Sequence, residues 1–160
     1  MNEQHRHVGI FHCFDNPWLG NDVLNAIMAA FGLAGFEKYL KNYQRRPNIL
    51  MATQKLAMAN AVYPNIDHLV ITSQTTTPQD NETSYSGTIY TTGASEEFTR
   101  SGNVNPYTVG WNILSDSANG TWGSFVLATQ AGAMINRALA GISKTSGTAK
   151  LIVFTGTVTS

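Results

Sequence analysis

Residues 119–160 read NGTWGSFVLATQAGAMINRALAGISKTSGTAKLIVFTGTVTS. A tryptophan-bearing strand follows the glycine turn at Asn119-Gly120. A glycine break comes next, then a short strand ending in Asn136-Arg137. A Lys-Thr-Ser-Gly turn precedes a long alternating strand, Leu151 to Thr159. Trp122 to Thr129 is apolar on both faces, which predicts a central strand covered on each side. The stretch reads as the edge and centre of an antiparallel β-sandwich, and it carries no catalytic signature.

The same period of two extends upstream. Tyr107, Val109, Trp111 and Ile113 alternate cleanly and predict a half-buried strand. Ile66 to Ser73 and Tyr85 to Thr92 are further strands, and Phe98 marks a short edge strand. Between them, QTTTPQDNETS (residues 74–84) is wholly polar and predicts an exposed, mobile loop. Asp116 to Gly120 is a turn. Several short strands at this spacing indicate a sandwich or barrel.

Upstream of Pro64 the pattern differs. Val8 to Phe14 is a short strand closed by the Asp15-Asn16-Pro17 turn. Asn21 is placed to cap a helix in which Leu24, Ile27, Met28 and Phe31 share a face. Gly32 and Gly35 interrupt. Phe36, Tyr39, Leu40 and Tyr43 then repeat the spacing, giving one helix with a weak point or two with a glycine hinge. A third helix is predicted from about Leu50 to Val62. The expected fold class is therefore α+β: residues 1–65 as a strand plus helices, available as an assembly segment, followed by an antiparallel sandwich over residues 66–160.

Composition narrows the function classes. Of 160 residues only 12% are charged, with formal net charge zero. Thr, Ser, Asn and Gly replace the missing charge, which suits a chain whose faces are covered by neighbouring subunits or an ordinary small β domain rich in Thr. Zero net charge gives no global argument for nucleic acid or an anionic membrane. The single cysteine, Cys13, permits no intrachain disulfide, and a reduced intracellular site of synthesis fits. The N-terminal stretch lacks the apolar core of a signal peptide, and no stretch reaches transmembrane length.

Candidate chemistry is sparse. His5, His7, His12 and Cys13 are zinc-competent, but their spacing matches no zinc motif, and His12 and Cys13 point to opposite faces of a strand. Glu96 and Glu97 are adjacent, and Asp80 and Glu82 lie in the polar loop, so a solvated role is expected for all four. His68, with Asp67 beside it, reads as a hydrogen-bonded strand histidine. Lys38, Lys41, Arg45, Arg46 and Lys55 form the one local positive cluster, against Glu37. It serves a helix C-terminus, an acidic partner subunit or, third, nucleic acid. Tyr85, Tyr90, Tyr107, Trp111 and Trp122 raise sugar stacking as an alternative to core packing.

Residues 66–160 resemble a widespread group of tailed-bacteriophage virion proteins. The resemblance rests on HLVITSQTTTPQDNETSYSG, a strand running into a Thr/Pro-rich loop. It rests equally on the closing order: Gly-Thr-aromatic strand, glycine turn, strand ending in Arg, Lys-Thr turn and terminal strand. One departure is Gly123-Ser124-Phe125, where such sequences place an acidic residue and a glycine. Residues 1–65 carry no such resemblance.

The resemblance implies a sandwich module of a capsid decoration, head-fibre, neck, tail or baseplate component, with no catalytic residues to carry over. The expected partners are other virion proteins and copies of the chain itself, with no membrane, nucleic acid or cofactor. The expected location is the virion, after assembly in the host cytoplasm. The assembly surface is expected at Phe36, Tyr39, Leu40, Tyr43, Lys38, Lys41, Arg45 and Arg46, with Trp111 and Trp122 as core anchors. The alternative is a carbohydrate-binding receptor module at a virion tip.

Overall fold

Alternating apolar residues pair into two antiparallel sheets in the computed structural model of the protein, which describes residues 6–16, 40–52, 66–101 and 107–159. The strands among these residues are β1 (Arg6–Asp15), β2 (Gln44–Pro47), β3 (Ile49–Leu50), β4 (His68–Thr72) and β5 (Thr88–Thr91). They continue with β6 (Glu97–Ser101), β7 (Tyr107–Ile113), β8 (Gly120–Ala128), β9 (Met134–Lys144) and β10 (Lys150–Thr159). One sheet has the order β2-β1-β10-β7-β6 and the other β3-β9-β8-β4-β5.

The sheets pack face to face. Phe11 and Cys13 of β1, Val109, Trp111 and Ile113 of β7, and Ile152 and Phe154 of β10 meet Leu69 and Ile71 of β4 and Trp122, Phe125 and Leu127 of β8 in one buried cluster. Phe11 links the layers, its ring centroid 5.2 Å from that of Phe125 in the facing sheet, and lies 4.8 Å from Phe154, its cross-strand neighbour in the same sheet. Trp111 and Trp122 are fully buried. The Trp122 indole N–H donates to the Ala118 carbonyl at 2.7 Å.

β8 and β10, each apolar on both faces, hold the central position of their sheets. Each buries a second apolar row on the outside of the sandwich. Leu151 and Val153 join Phe14, and Val126 and Ala128 join Met51, Val70 and Met134. The composition of a strand thus reports its place in the sheet.

The α+β expectation with its N-terminal helical segment is corrected. Every element among the described residues is a strand, and β1, β2 and β3, all before residue 66, belong to the two sheets. The second helical stretch was expected to run through Tyr43. Instead residues 40–42 turn, with Asn42 at φ 54°, and residues 44–47 and 49–50 extend into β2 and β3. The physical reason is tertiary. Pairing with β1 fixes β2 and pairing with β9 fixes β3, which outweighs the weak local preference of QRRP-N-IL. Asn48 is the sole link between these strands, so the chain steps from one sheet to the other across a single residue. The third helix was expected from about Leu50 to Val62, but Leu50 lies in β3; its residues 53–62, like residues 21–39 of the earlier helical stretches, lie outside the described residues.

β9 runs on to Lys144, past the strand end expected at Asn136-Arg137. The register with β8 shifts between Trp122/Ile142 and Ser124/Leu139, and Gly141 sits there at φ 61°. A glycine that looks like a strand end in the sequence is a bulge in mid-strand.

Asn136 stands opposite Leu127 and Leu50, both core residues, and both of its side-chain polar atoms are buried without a hydrogen-bond partner. An unpaired buried amide costs about 1–3 kcal/mol. Asn136→Leu is therefore expected to raise the stability of the domain by about 1–2 kcal/mol, read as a higher denaturation midpoint. A variant that melts below the parent would show that Asn136 is held by contacts leucine cannot reproduce.

Candidate functional site

The outer face of the second sheet is covered by residues 73–87, the strap that connects β4 to β5. Its polar composition predicts mobility, but it is fastened. Arg137, on β9 opposite Val126, is 0% exposed. Its guanidinium forks onto Glu82, with Nε donating to Oε2 at 2.8 Å and Nη2 to Oε1 at 2.5 Å. Nη1 donates to the Thr76 carbonyl at 2.8 Å and to Ser124 Oγ at 3.0 Å, and Ser124 Oγ donates to the Gln74 carbonyl at 2.5 Å.

A bidentate Arg–carboxylate pair adds directional specificity to charge, so strap and sheet are held in one register. The hydrogen bond from Arg137, aided by its charge, holds the Glu82 carboxyl below the usual carboxylate range against the opposing effect of burial. The expected solvated role of Glu82 is thereby corrected.

Three further contacts close the strap. Ser73 N donates to the Gly87 carbonyl at 2.7 Å, and Ser86 N donates to Gln74 Oε1 at 3.1 Å. Ala52 N donates to the Asp80 carbonyl at 2.6 Å. Tyr85 lies half-buried on the Met51, Val70, Val126, Ala128 and Met134 cluster. Gly123 makes the crossing possible, because a Cβ there would stand 2.5 Å from the carbonyl oxygens of both Ser73 and Gln74. This accounts for Gly123-Ser124: the glycine admits the strap and the serine ties it.

The outer face of the first sheet carries part of the predicted assembly surface. Leu40 and Tyr43 pack half-buried on Phe14, Leu151 and Val153. The Tyr43 hydroxyl is hydrogen-bonded to His12 Nδ1 at 2.6 Å, and His12 Nε2 to Thr155 Oγ1 at 3.0 Å. Arg46 spans the two sheets, its Nε donating to the Ala140 carbonyl at 2.7 Å. Lys41 and Arg45 are exposed. Phe36, Glu37, Lys38, Tyr39 and Lys55 lie outside the described residues, as does His5, and nothing is placed for the side chain of His7.

One end of the sandwich collects buried lysines. Lys150 Nζ pairs with Asp15 Oδ1 at 2.7 Å, and Asn42 Nδ2 donates to Asp15 Oδ2 at 2.8 Å. Burial raises the Asp15 carboxyl, but these two hydrogen bonds together with the lysine charges outweigh it and leave it lowered. Lys144, 2% exposed, donates to the Ser115 carbonyl and to Asn119 Oδ1, both at 2.8 Å. Burial pushes its ammonium pKa down, Asp116 opposes, and Lys150 adds to the drop.

The remaining candidates have structural partners. Cys13 faces the core, and burial pushes its thiol up to about 12, so it is inert as a nucleophile. His68 lies between Asp67 Oδ2, 2.7 Å from Nε2, and the Thr92 carbonyl, 3.1 Å from Nδ1. Glu96 accepts from the Gly93 N–H at 2.6 Å and from the Tyr90 hydroxyl at 3.2 Å, which ties the β5–β6 turn. Among the described residues no group of three His, Cys, Asp or Glu side chains is placed to hold a metal ion.

Arg137, Lys144 and Asn119 enter the sequence analysis as marks of a strand end and two turns, without a role for their side chains. A signal existed for Arg137, which is a lone charge amid the apolar run Met134–Ala140. No family model, curated protein or solved structure matches the chain.

Proposed function

We propose that the chain is a structural component of a bacteriophage virion, a decoration, neck, tail or baseplate protein that acts by subunit–subunit assembly. The observation that carries this reading joins two marks of the resemblance to each other. The Thr/Pro-rich loop and the strand ending in Arg, far apart in sequence, form one fastening through Arg137, Thr76 and Glu82. The quoted segments thus behave as parts of one module.

The surface chemistry supports the same reading. Thr121, Leu139, Gly141 and Ser143 are exposed on neighbouring β8 and β9, an uncharged stretch with little desolvation cost on contact. Sugar stacking has less support. Trp111 and Trp122 are buried, Tyr85 lies on the sheet and Tyr90 bonds Glu96.

Sedimentation velocity over a wide concentration range, with quantitative mass spectrometry of dissociated particles, tests the proposal. Expected are a discrete homo-oligomer and a fixed copy number per particle. A protein that stays monomeric throughout and is absent from every particle fraction defeats it.

A further inference from the structure

The turn before β8 brings together a buried ammonium, a side-chain amide and a glycine. Lys144 Nζ, on a side chain only 2% exposed, donates to Asn119 Oδ1 at 2.8 Å. Asn119 itself is exposed, and its Nδ2 approaches the Asp116 carbonyl at 3.4 Å. The next residue, Gly120, has open space where a Cβ would stand. The turn is anchored on its other side by the Trp122 indole on the Ala118 carbonyl.

We propose that Asn119 is a self-modifying residue: its side-chain amide is exchanged for a carboxylate, which then pairs with Lys144. Gly120 N attacks Asn119 Cγ, forming a C–N bond and placing negative charge on Oδ1. The Cγ–Nδ2 bond breaks, and Nδ2 departs as ammonia with the proton lost from Gly120 N. Water then opens the resulting succinimide, giving aspartate, or isoaspartate when it adds at the backbone carbonyl. No oxidant or other co-reactant is needed.

Two features of this site favour the reaction. The ammonium of Lys144 already rests on Oδ1, the atom that becomes the oxyanion, and a preplaced donor there stabilises the charge as it develops. Glycine offers no side chain to obstruct its own nitrogen, and exposure of Asn119 admits water and releases ammonia. The product also answers a deficit in the fold. Lys144 has a carbonyl and an amide oxygen as acceptors, and a carboxylate at position 119 would replace a neutral acceptor by an anionic one and complete an ion pair. The consequence of the aspartate product is a turn that tightens with the age of the molecule.

The test is incubation of the folded protein at mildly alkaline pH beside a free peptide of residues 114–124, with both mapped by mass spectrometry. Expected is the mass gain of an amide-to-carboxylate exchange at Asn119, at a rate equal to or above that of the peptide. Asn119→Asp is expected to melt about 2–4 °C above the parent. An Asn119 that stays intact in the folded protein while the peptide converts overturns the proposal. So does an Asn119→Asp variant that melts below the parent. A lasting loss of ammonia with Lys144 and residue 119 in one cross-linked peptide also overturns it, by assigning the amide to lysine attack instead.

Discussion

A chain that stops at Ala149 is expected not to fold. β10 lies between β1 and β7 at the centre of its sheet, so its removal leaves β1 paired only with the four-residue β2 and β7 only with β6. Ile152 and Phe154 leave the core, Leu151 and Val153 leave the outer cluster, and Asp15 loses Lys150. Burial of one such apolar side chain is worth about 1.5–3 kcal/mol, so the four together contribute roughly 6–12 kcal/mol. That equals the whole net stability of a typical domain, about 5–15 kcal/mol. Far-UV circular dichroism and a thermal melt decide the matter, and a truncated chain that keeps the parent spectrum and a cooperative transition contradicts it. Phe154→Ala gives a graded version, with an expected loss of about 3–5 kcal/mol.

Glu82→Gln is expected to cost about 3 kcal/mol, because it leaves the guanidinium of Arg137 buried without a compensating charge. The fully enclosed position of Arg137 is what makes the effect large, since an exposed pair would contribute little. The pH dependence has a definite sign. The Glu82 carboxyl is lowered in the folded state from its ordinary 4.5. Its contribution is complete above that ordinary value and is lost as pH falls through the lowered one. Asp15, lowered from 3.8, acts in the same direction over the same acid range.

The parent should therefore lose stability on acidification more steeply than Glu82→Gln. Hydrogen exchange should report weakened protection of residues 74–86 in the variant at neutral pH. Equal denaturation midpoints for the two proteins at neutral pH, or parallel acid limbs, would sink the assignment of Arg137–Glu82 as the strap's fastening.

Much of the sandwich was legible in the sequence, and the reasons differ by strand. Tyr107–Ile113, Gly120–Ala128 and Lys150–Thr159 alternate or run apolar over enough residues for period two to show. β2 and β3 were hidden. Leu40 and Tyr43 have helical spacing, yet they share a cluster because both pack on the first sheet, with Tyr43 also bonded to His12. QRRP lacks the β-branched residues that announce a strand, and its conformation comes from pairing with β1.

The strap was legible as a loop but not as a fixed one. Its anchors are an arginine more than fifty residues downstream and a glycine that matters only because the backbone crosses it. Contacts of that range leave no local pattern. What a sequence does show is the anomaly, such as one arginine in an apolar strand.

The pairing of β1 with β10 joins Arg6 to Thr159 and Asp15 to Lys150. During synthesis β1 leaves the ribosome long before its main partner. β1 and β7 must wait, edges open, until Thr159 has cleared the exit tunnel, since only β10 can bridge them. Closure of this sheet is thus a late event set by translation, and long-range pairing of this kind is intrinsically slow and exposed to association. Until β10 emerges, β1 keeps an open edge with only the short β2 to pair with, which gives a holding chaperone its natural substrate.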